Sequence, residues 1–272
     1  MKRFIKILNL VILLVAALLL FSVPWSPRGK VTNERVEKPR TMSLPRLEPA
    51  SAANVQRARS AWHPPHIMKV WTTEHKGRIF RVIQLPRCEH IEAVIAYNPS
   101  GETVAQAKQR LGGAVAMTGS FHHPRTFALA DFLQKDGAVY AAPSTGRCFL
   151  AMHNDGKLTI SNDYSSIKGK RGVSALALGQ RLVPLQQDGF STAFMNRVTD
   201  RMAIGMNDNF IFIVQGKSDI WRLAHFMGNV LPCDMAVNSD GGHVVRGVAP
   251  VHVVFRWRTG NITNNCAPNQ PM

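Results

Sequence analysis

The stretch Ala236-Val237-Asn238-Ser239-Asp240-Gly241-Gly242-His243-Val244-Val245 is the part of the chain from which the rest is best interpreted. Its first residues have the apolar pattern of a buried strand, and this strand runs directly into a carboxylate and two glycines. Glycine allows the backbone to approach another group closely, so Asp240 is the first candidate for a functional side chain. The alternative is that Asp240-Gly241 forms only a hairpin turn, which is a common use of this dipeptide.

A second polar loop, Thr118-Gly119-Ser120-Phe121-His122-His123-Pro124, follows a short apolar strand predicted at residues 114–117. Loops at strand ends often carry catalytic groups, because the strand fixes their origin and the loop leaves them accessible. His122 and His123 are the candidate catalytic side chains here. The alternative is that both histidines are ordinary surface or core residues.

Arg201 begins a third segment of interest, a strand predicted at residues 201–206 that forms a hairpin with residues 210–214. An arginine at this point can present its planar fork to a phosphate or a carboxylate. The alternative is a solvated arginine at a strand end. An amphipathic helix predicted at residues 218–231, with Ser218 as its N-cap, returns the chain to the strand that carries Asp240.

The remaining pattern indicates an α+β fold, a strand-rich sheet domain with a few packed helices. Val- and Ile-rich runs alternate with turn signals, and one segment has helix formers followed by two glycines. The predicted elements are strands at 78–85, 91–97, 138–142, 148–153 and 157–160, two strands between 173 and 185, a turn at 98–101 and a helix at 103–111.

The N-terminus predicts export or membrane attachment. A basic start precedes an apolar run at residues 7–23, which is typical of a signal anchor or a signal peptide. Pro24 and Pro27 disrupt the expected cleavage site, which favours an uncleaved anchor. We therefore expect a signal segment at 1–25, a basic proline-rich linker at 26–65 and a folded domain at 66–272, periplasmic or extracytoplasmic and held at the inner membrane.

The four cysteines, Cys88, Cys148, Cys233 and Cys266, are widely spaced and contain no Cys-x-x-Cys pair. In an exported chain this predicts two disulfides, with three possible connectivities. The alternative, for a cytosolic domain, is four buried free thiols. The spacing argues against a metal site.

The chain carries 33 Lys and Arg against 17 Asp and Glu, a formal net charge of +16. The charge is spread along the sequence, without a basic helix, a zinc spacing or an aromatic RNA-binding signature. We therefore expect no nucleic-acid partner. The positive charge also leaves open the hypothesis that the protein is a secreted polyanion-binding module.

In order, the chain contains a glycine-containing turn with Phe after a strand, an Arg-x-Ala-Ile-Gly strand, a helix, and a strand that ends in Asp-Gly-Gly. This order resembles the phosphodiester glycosidase family over roughly residues 78–255. The resemblance implies an exported hydrolase that cleaves a sugar from a glycosyl-1-phosphodiester in cell-envelope or extracellular glycans. A glycan or sugar phosphate would be the substrate, and the membrane would be a partner through the N-terminal helix.

The resemblance also implies roles for individual residues of this chain, where its motifs match those of the family. The segment from Thr118 matches the family's Asn-Gly-Gly-Phe-Phe, and residues 238–242 match Asn-Leu-Asp-Gly-Gly, after which His243 and Val244 replace Gly-Ser. Thr118 and Val244 thus differ from the family at positions expected to face the ligand. The resemblance implies catalytic roles for Asp240, His122 and His123, and substrate-binding roles for Arg201, Gly119, Ser120, Asn238, Gly241, Gly242 and His243.

The expected mechanism needs few groups, because a phosphodiester is a better leaving group than an alcohol. Asp131 and Asp188 are equal candidates for a second carboxylate. No cofactor and no metal are expected, although a divalent cation can assist at Asp240 without an evident ligand cluster. An alternative function is a catalytically weakened glycan-binding or envelope-scaffolding protein, which the departures at His243 and Val244 suggest.

Overall fold

The computed structural model describes residues 68–258, apart from residues 89, 144–146, 187 and 246 and the side chain of His243. The predicted signal segment, the linker and Cys266 lie outside the described residues. Across residues 68–258, no helix combines the length and the apolar character needed to cross a membrane.

The described chain is strand-rich, with three short α-helices named α1 to α3 in chain order. A π-helical turn, Phe226–Val230, follows α3, and a 3-10 helix occupies Gly242–Val245. The elements are β1 (Lys69–His75), β2 (Arg78–Pro86), β3 (Ile91–Thr103), α1 (Val104–Arg110), β4 (Val115–Thr118), β5 (Leu133–Lys135), β6 (Ala138–Ala141), β7 (Phe149–His153), β8 (Leu158–Ser161), β9 (Val173–Ala177), β10 (Arg181–Val183), α2 (Thr192–Asn196), β11 (Thr199–Met206), β12 (Phe210–Ser218), α3 (Ile220–His225), β13 (Met235–Asn238) and β14 (Val248–Trp257).

These strands form three antiparallel sheets. The first has six strands in the order β1-β2-β12-β11-β13-β10, the second has three in the order β3-β14-β4, and the third has five in the order β6-β5-β9-β7-β8. The strand that leads to Asp240 lies in the first sheet. The strand that leads to the histidine loop lies in the second.

The centre of the six-stranded sheet is buried on both faces. Along β12, Ile211 and Ile213 face the core shared with the other sheets, whereas Phe210, Phe212 and Val214 face the core beneath α3. Successive side chains of a strand point to opposite faces, so a strand covered on both sides is continuously apolar. This explains why β12 has no polar alternation.

Most of the predicted elements are confirmed. The strands predicted at 78–85 and 138–142 are β2 and β6, and the hairpin predicted at 148–160 is the antiparallel pair β7 and β8. Helix α1 has the expected position, with Thr103 accepting a hydrogen bond from the backbone N–H of Gln106 as its N-cap. The mixed, sheet-dominated character of the fold is confirmed with them.

Two local predictions are wrong. The turn predicted at 98–101 is part of β3, which continues to Thr103 with a shift in its pairing to β14 near Val251. Gly101, at φ +77°, absorbs the irregularity, so the polar residues mark a bulge and not a chain reversal. In addition, Asp219 and not Ser218 caps α3, because Ser218 is the last residue of β12.

The prediction of two disulfides is also wrong. Cys88, Cys148 and Cys233 are free thiols. Every way of making two disulfides from the four cysteines would join two of these three. Cys148 and Cys233 are buried, and burial raises the pKa of both thiols, so they are protonated and behave as small apolar side chains.

Gly205, the glycine of the Arg-x-Ala-Ile-Gly strand, makes room for one of these thiols. A Cβ added at Gly205 would lie 2.6 Å from Cys233 Sγ, 2.6 Å from Met227 Cε and 3.1 Å from Ala236 Cβ. The glycine of this motif is therefore needed for packing between the sheet and the segment after α3.

We predict that Gly205→Ala destabilises the domain by about 1–3 kcal/mol, the usual cost of overpacking a core. Urea unfolding followed by circular dichroism measures the change. Cys233→Ala in the same chain should recover part of the loss, since it removes one of the two closest atoms. Equal stability of Gly205→Ala and the wild type would contradict the packing assignment.

Candidate functional site

The ends of β4 and β13 meet, although the two strands belong to different sheets. Thr118 Oγ1 donates a hydrogen bond to the carbonyl oxygen of Asp240 at 2.6 Å, and Ser239 Oγ donates one to the carbonyl oxygen of Thr118, also at 2.6 Å. The backbone N–H of Asp240 donates to the carbonyl of Gly119 at 3.3 Å. Both hydroxyl-bearing residues are fully buried. These bonds, which we call the Thr118–Ser239 bridge, fix the backbone at Asp240.

Asp240 and His122 are brought together by this arrangement. His122 Nδ1 lies 3.4 Å from Asp240 Oδ2, with side-chain exposures of 2% and 13%. The distance is within ion-pair range but longer than a good hydrogen bond, as is common for catalytic pairs without a ligand. The ring of Phe127 packs beside His122, with the ring centroids 5.8 Å apart. The pair is thus confined on the protein side and open at the carboxylate.

The hairpin alternative for Asp240-Gly241 is excluded. After Gly241 the chain enters the 3-10 helix Gly242–Val245 and then β14, which pairs in another sheet. A Cβ at Gly241 would lie 2.7 Å from the carbonyl oxygen of Asp200, and one at Gly119 would lie 2.7 Å from Val251 Cγ1. Both glycines therefore permit close packing within the protein. Their predicted contact with a substrate stays a prediction.

His123 occupies a different environment from His122. It is exposed, and its Nδ1 accepts hydrogen bonds from the backbone N–H groups of Arg125 and Thr126, both at 3.3 Å. The side chain therefore stabilises the turn that follows it. Of the two histidines that the sequence left equivalent, the structure brings His122 to Asp240.

Arg201 is buried, with 2% of its surface exposed. Its guanidinium donates to the carbonyl oxygens of Phe194 and Arg197, each at 2.9 Å, and more weakly to that of Ser218. Burial, followed by the nearby charge of Arg197, lowers the pKa of Arg201 to about 10. Because the guanidinium of Arg201 already donates to these carbonyl groups, the structure argues against its predicted contact with a phosphate.

Two positions expected to face the ligand are buried in the protein. Thr118 is fully buried in the bridge, and Val244 is 4% exposed. Both departures from the family pattern are therefore part of the packing, and their effect on a ligand stays a prediction. The side chain of His243 lies outside the described residues.

Two other residues of the same loops have polar atoms without a partner. Across the described part of the chain, neither Ser120 Oγ nor Asn238 Oδ1 has a hydrogen-bond partner, although both atoms are buried. Such atoms are rare in folded proteins, because desolvating an unpaired polar group is costly. Their position beside Asp240 is consistent with the substrate-binding roles predicted for Ser120 and Asn238.

The two candidates for a second carboxylate are both held by arginines. Asp131 accepts from Arg147 Nε at 2.7 Å, and Asp188 accepts from the backbone N–H of Arg181 at 2.7 Å. Among the described residues, no group of three or more His, Cys, Asp or Glu side chains is placed to hold a metal ion. The assistance of a divalent cation at Asp240 stays a prediction.

The sequence did not identify the group formed by Phe121, Arg147 and Phe190. The guanidinium carbon of Arg147 lies 4.4 Å from the ring centroid of Phe190 and 5.5 Å from that of Phe121. These residues are distant in sequence, and Arg147 precedes the strand predicted at 148–153 without any local motif. Phe121, an aromatic residue inside the polar loop, was the available signal.

No protein-family model and no curated protein matches the chain. Solved structures do match its fold. A hypothetical protein from Synechocystis aligns over 70% of this chain with a TM-score of 0.59 and 11% identity, and the match spans 62% of that protein. The zebrafish N-acetylglucosamine-1-phosphodiester alpha-N-acetylglucosaminidase catalytic domain, auto-inhibited by its pro-peptide, aligns over 71% of this chain and 83% of its own, with a TM-score of 0.55 and 13% identity. At these identities the similarity shows a shared fold.

We predict that Thr118→Val destabilises the domain by about 1–3 kcal/mol, because the shape is kept while the Asp240 carbonyl loses its donor inside the protein. Urea unfolding measures the loss. Thr72→Val, at an exposed position of β1, is the matched control and should change stability by less than about 0.5 kcal/mol. Similar effects of the two substitutions would show that the bridge contributes little.

We also predict that the domain loses stability below about pH 6.5. His252 is fully buried behind β4, and its burial lowers its pKa; burial also lowers the pKa values of His75 and His225. As the pH falls below 6.5, the ordinary pKa of histidine, these side chains bind protons in the unfolded chain before they do so in the folded one. Folding therefore becomes less favourable until the pH has passed below their lowered pKa values in the folded chain. Thermal melts at pH 7.5 and 5.5 test this, and His252→Gln should reduce the difference.

Proposed function

We propose that this domain is a hydrolase that releases a sugar from a glycosyl phosphodiester, with Asp240 and His122 as its reacting groups. The observation that carries the proposal is the 3.4 Å approach of His122 Nδ1 to Asp240 Oδ2 where two sheets meet. The shared fold with a catalytic domain named for N-acetylglucosamine-1-phosphodiester cleavage supports the substrate class.

The proposed reaction needs one carboxylate and one proton carrier. Water adds to the anomeric carbon, the bond from that carbon to the phosphate oxygen breaks, and the phosphate monoester leaves. Asp240 stabilises the positive charge that develops on the sugar, or activates the water, and His122 accepts the water proton. The leaving phosphate is already a weak base, so no second carboxylic acid is required. This agrees with the engagement of Asp131 and Asp188 by arginines.

Arg201 has a supporting place in this proposal. Its guanidinium ties together the carbonyl groups of α2 and the end of β12, and its backbone lies against Gly241. It therefore holds the segment on which Asp240 sits. Phosphate charge must then be neutralised by another group.

The proposed location of the substrate rests on the N-terminal sequence alone. We propose an exported, membrane-anchored protein that acts on cell-envelope or extracellular glycans, because residues 1–25 have the pattern of a signal segment. The cysteines do not support the proposal of export, because the three that the structure describes are free thiols.

Asp240→Asn and His122→Gln test the chemistry. With a glycosyl-1-phosphodiester as substrate, each substitution should lower the rate of sugar release by about 10²–10⁴-fold, the range for a lost acid-base group. Free reducing sugar and phosphate monoester are measured together, because the proposed bond cleavage releases them in equal amounts.

His123→Gln is the matched control, because it changes a neighbouring, exposed histidine whose Nδ1 accepts hydrogen bonds from Arg125 and Thr126, and it should retain nearly all activity. Equal losses in His122→Gln and His123→Gln would refute the assignment of His122. If wild type and Asp240→Asn are equally inactive on a range of glycosyl phosphodiesters but still bind glycan, the domain is a glycan-binding or scaffolding protein.

A further inference from the structure

A groove with a volume of about 470 Å³ lies between the hairpin of β1 and β2 on one side and α1 with β4 on the other. Strand β1 is at the edge of the six-stranded sheet, and β4 is at the edge of the three-stranded sheet. The apolar packing between the sheets is incomplete here, since Val70 of β1 is 48% exposed. Small-molecule sites have volumes of about 300–1,000 Å³, so the groove has the size of a ligand site.

The surface of the groove is mainly apolar. Val70 and Ile83 are direct partners in the pairing of β1 with β2, so their side chains lie on the same face of the sheet. Both line the groove together with Val115 and Val245, which are 5% and 7% exposed and belong to the hydrophobic core. An apolar chain bound here would therefore lose its contact with water against the core itself.

Two cations accompany these apolar residues. Arg81 of β2 and Lys108 of α1 line the groove from its two sides, and both are exposed. In the part of the chain that the structure describes, neither side chain forms a hydrogen bond or an ion pair. No aspartate or glutamate is among the described residues that line the groove. The groove thus combines an apolar surface with positive charge, which is complementary to an anion that carries a hydrocarbon chain.

We infer that this groove binds a long-chain carboxylate, with the hydrocarbon chain along Val70, Ile83 and Val115 and the carboxylate at Arg81 and Lys108. A neutral sugar would leave the apolar surface in contact with water, and a small inorganic anion would use only the two charges. The amphiphilic anion uses both. The site is separate from the proposed hydrolase site, because neither Asp240 nor His122 lines the groove.

Photo-crosslinking of the purified full-length chain tests the inference. The probe is dodecanoate with a diazirine in its chain, used at about 150 mM salt to screen non-specific attraction to this basic protein. Mass spectrometry should find the adducts in residues 68–83 and 103–116. Unlabelled octanoate, decanoate and dodecanoate should displace the probe with increasing strength, by up to about fourfold for each methylene that is buried. Dodecanol, which has the same chain without the charge, should compete at least about fivefold less well than dodecanoate.

Variants at exposed positions test both parts of the groove. Arg81→Gln combined with Lys108→Gln should weaken dodecanoate binding by about tenfold, since one exposed ion pair contributes up to about fivefold. Val70→Asp should weaken it by at least about tenfold, because it places a negative charge on the apolar surface next to the ligand.

Two matched controls change similar residues outside the groove. Lys69→Gln removes a positive charge from the neighbour of Val70, whose side chain points to the opposite face of β1. Ile79→Asp places a carboxylate at an apolar position of β2 that is 65% exposed. Both variants should bind dodecanoate as the wild type does. Circular dichroism confirms that each variant is folded.

Labelling that dodecanoate does not displace, or that Val70→Asp and the double variant leave intact, overturns the inference. Equal competition by dodecanol and dodecanoate overturns the role of the two cations. If the chain binds anionic phospholipid vesicles but shows no displaceable labelling of residues 68–83 and 103–116, its positive charge alone explains the binding, and the inference also fails. None of these outcomes depends on whether the domain releases sugar.

Discussion

The candidate site depends on a few hydrogen bonds between two fully buried hydroxyl groups and the backbone. Thr118 and Ser239 lie at the ends of strands from different sheets, and each hydroxyl donates to a carbonyl oxygen of the opposite segment. A buried hydroxyl that fails to pair costs free energy, so these groups favour one relative position of the two strand ends. Asp240 follows Ser239 directly, and its position is a consequence of this bridge.

The Thr118–Ser239 bridge, in which the hydroxyl groups have hydrogen-bond partners, lies next to polar atoms that have none in the described chain. The bridge uses the hydroxyls and carbonyls at its centre, whereas Ser120 Oγ and Asn238 Oδ1 have no hydrogen-bond partner in the described chain. Glycines allow the frame to close, since side chains at Gly119 and Gly241 would overlap neighbouring strands. The rigid part therefore holds the loops in place, and the two unpaired atoms lie in the segments next to it.

The two arginines near the site illustrate how environment separates similar residues. Arg201 donates hydrogen bonds to three carbonyl groups and stacks on Phe194, so it stabilises the segments around it. Arg147 is paired with a buried carboxylate, stacks on Phe190 and retains exposed surface. Both arginines thus stabilise the segments around them, Arg201 through carbonyl groups and Arg147 through a buried carboxylate.

The sequence by itself determined the strand-rich class, most element positions and the two loops that carry polar side chains, because the side-chain periodicity and turn residues that encode them are local. It identified Asp240 as the first candidate. Only the tertiary structure decided that His122 and not His123 approaches this carboxylate, that Arg201 is buried, and that Cys88, Cys148 and Cys233 are unpaired. The approach of His122 to Asp240 depends on contacts between the ends of strands from different sheets, such as that of Ser239 with Thr118, 121 residues apart in the chain. No local pattern specifies which side chains meet there.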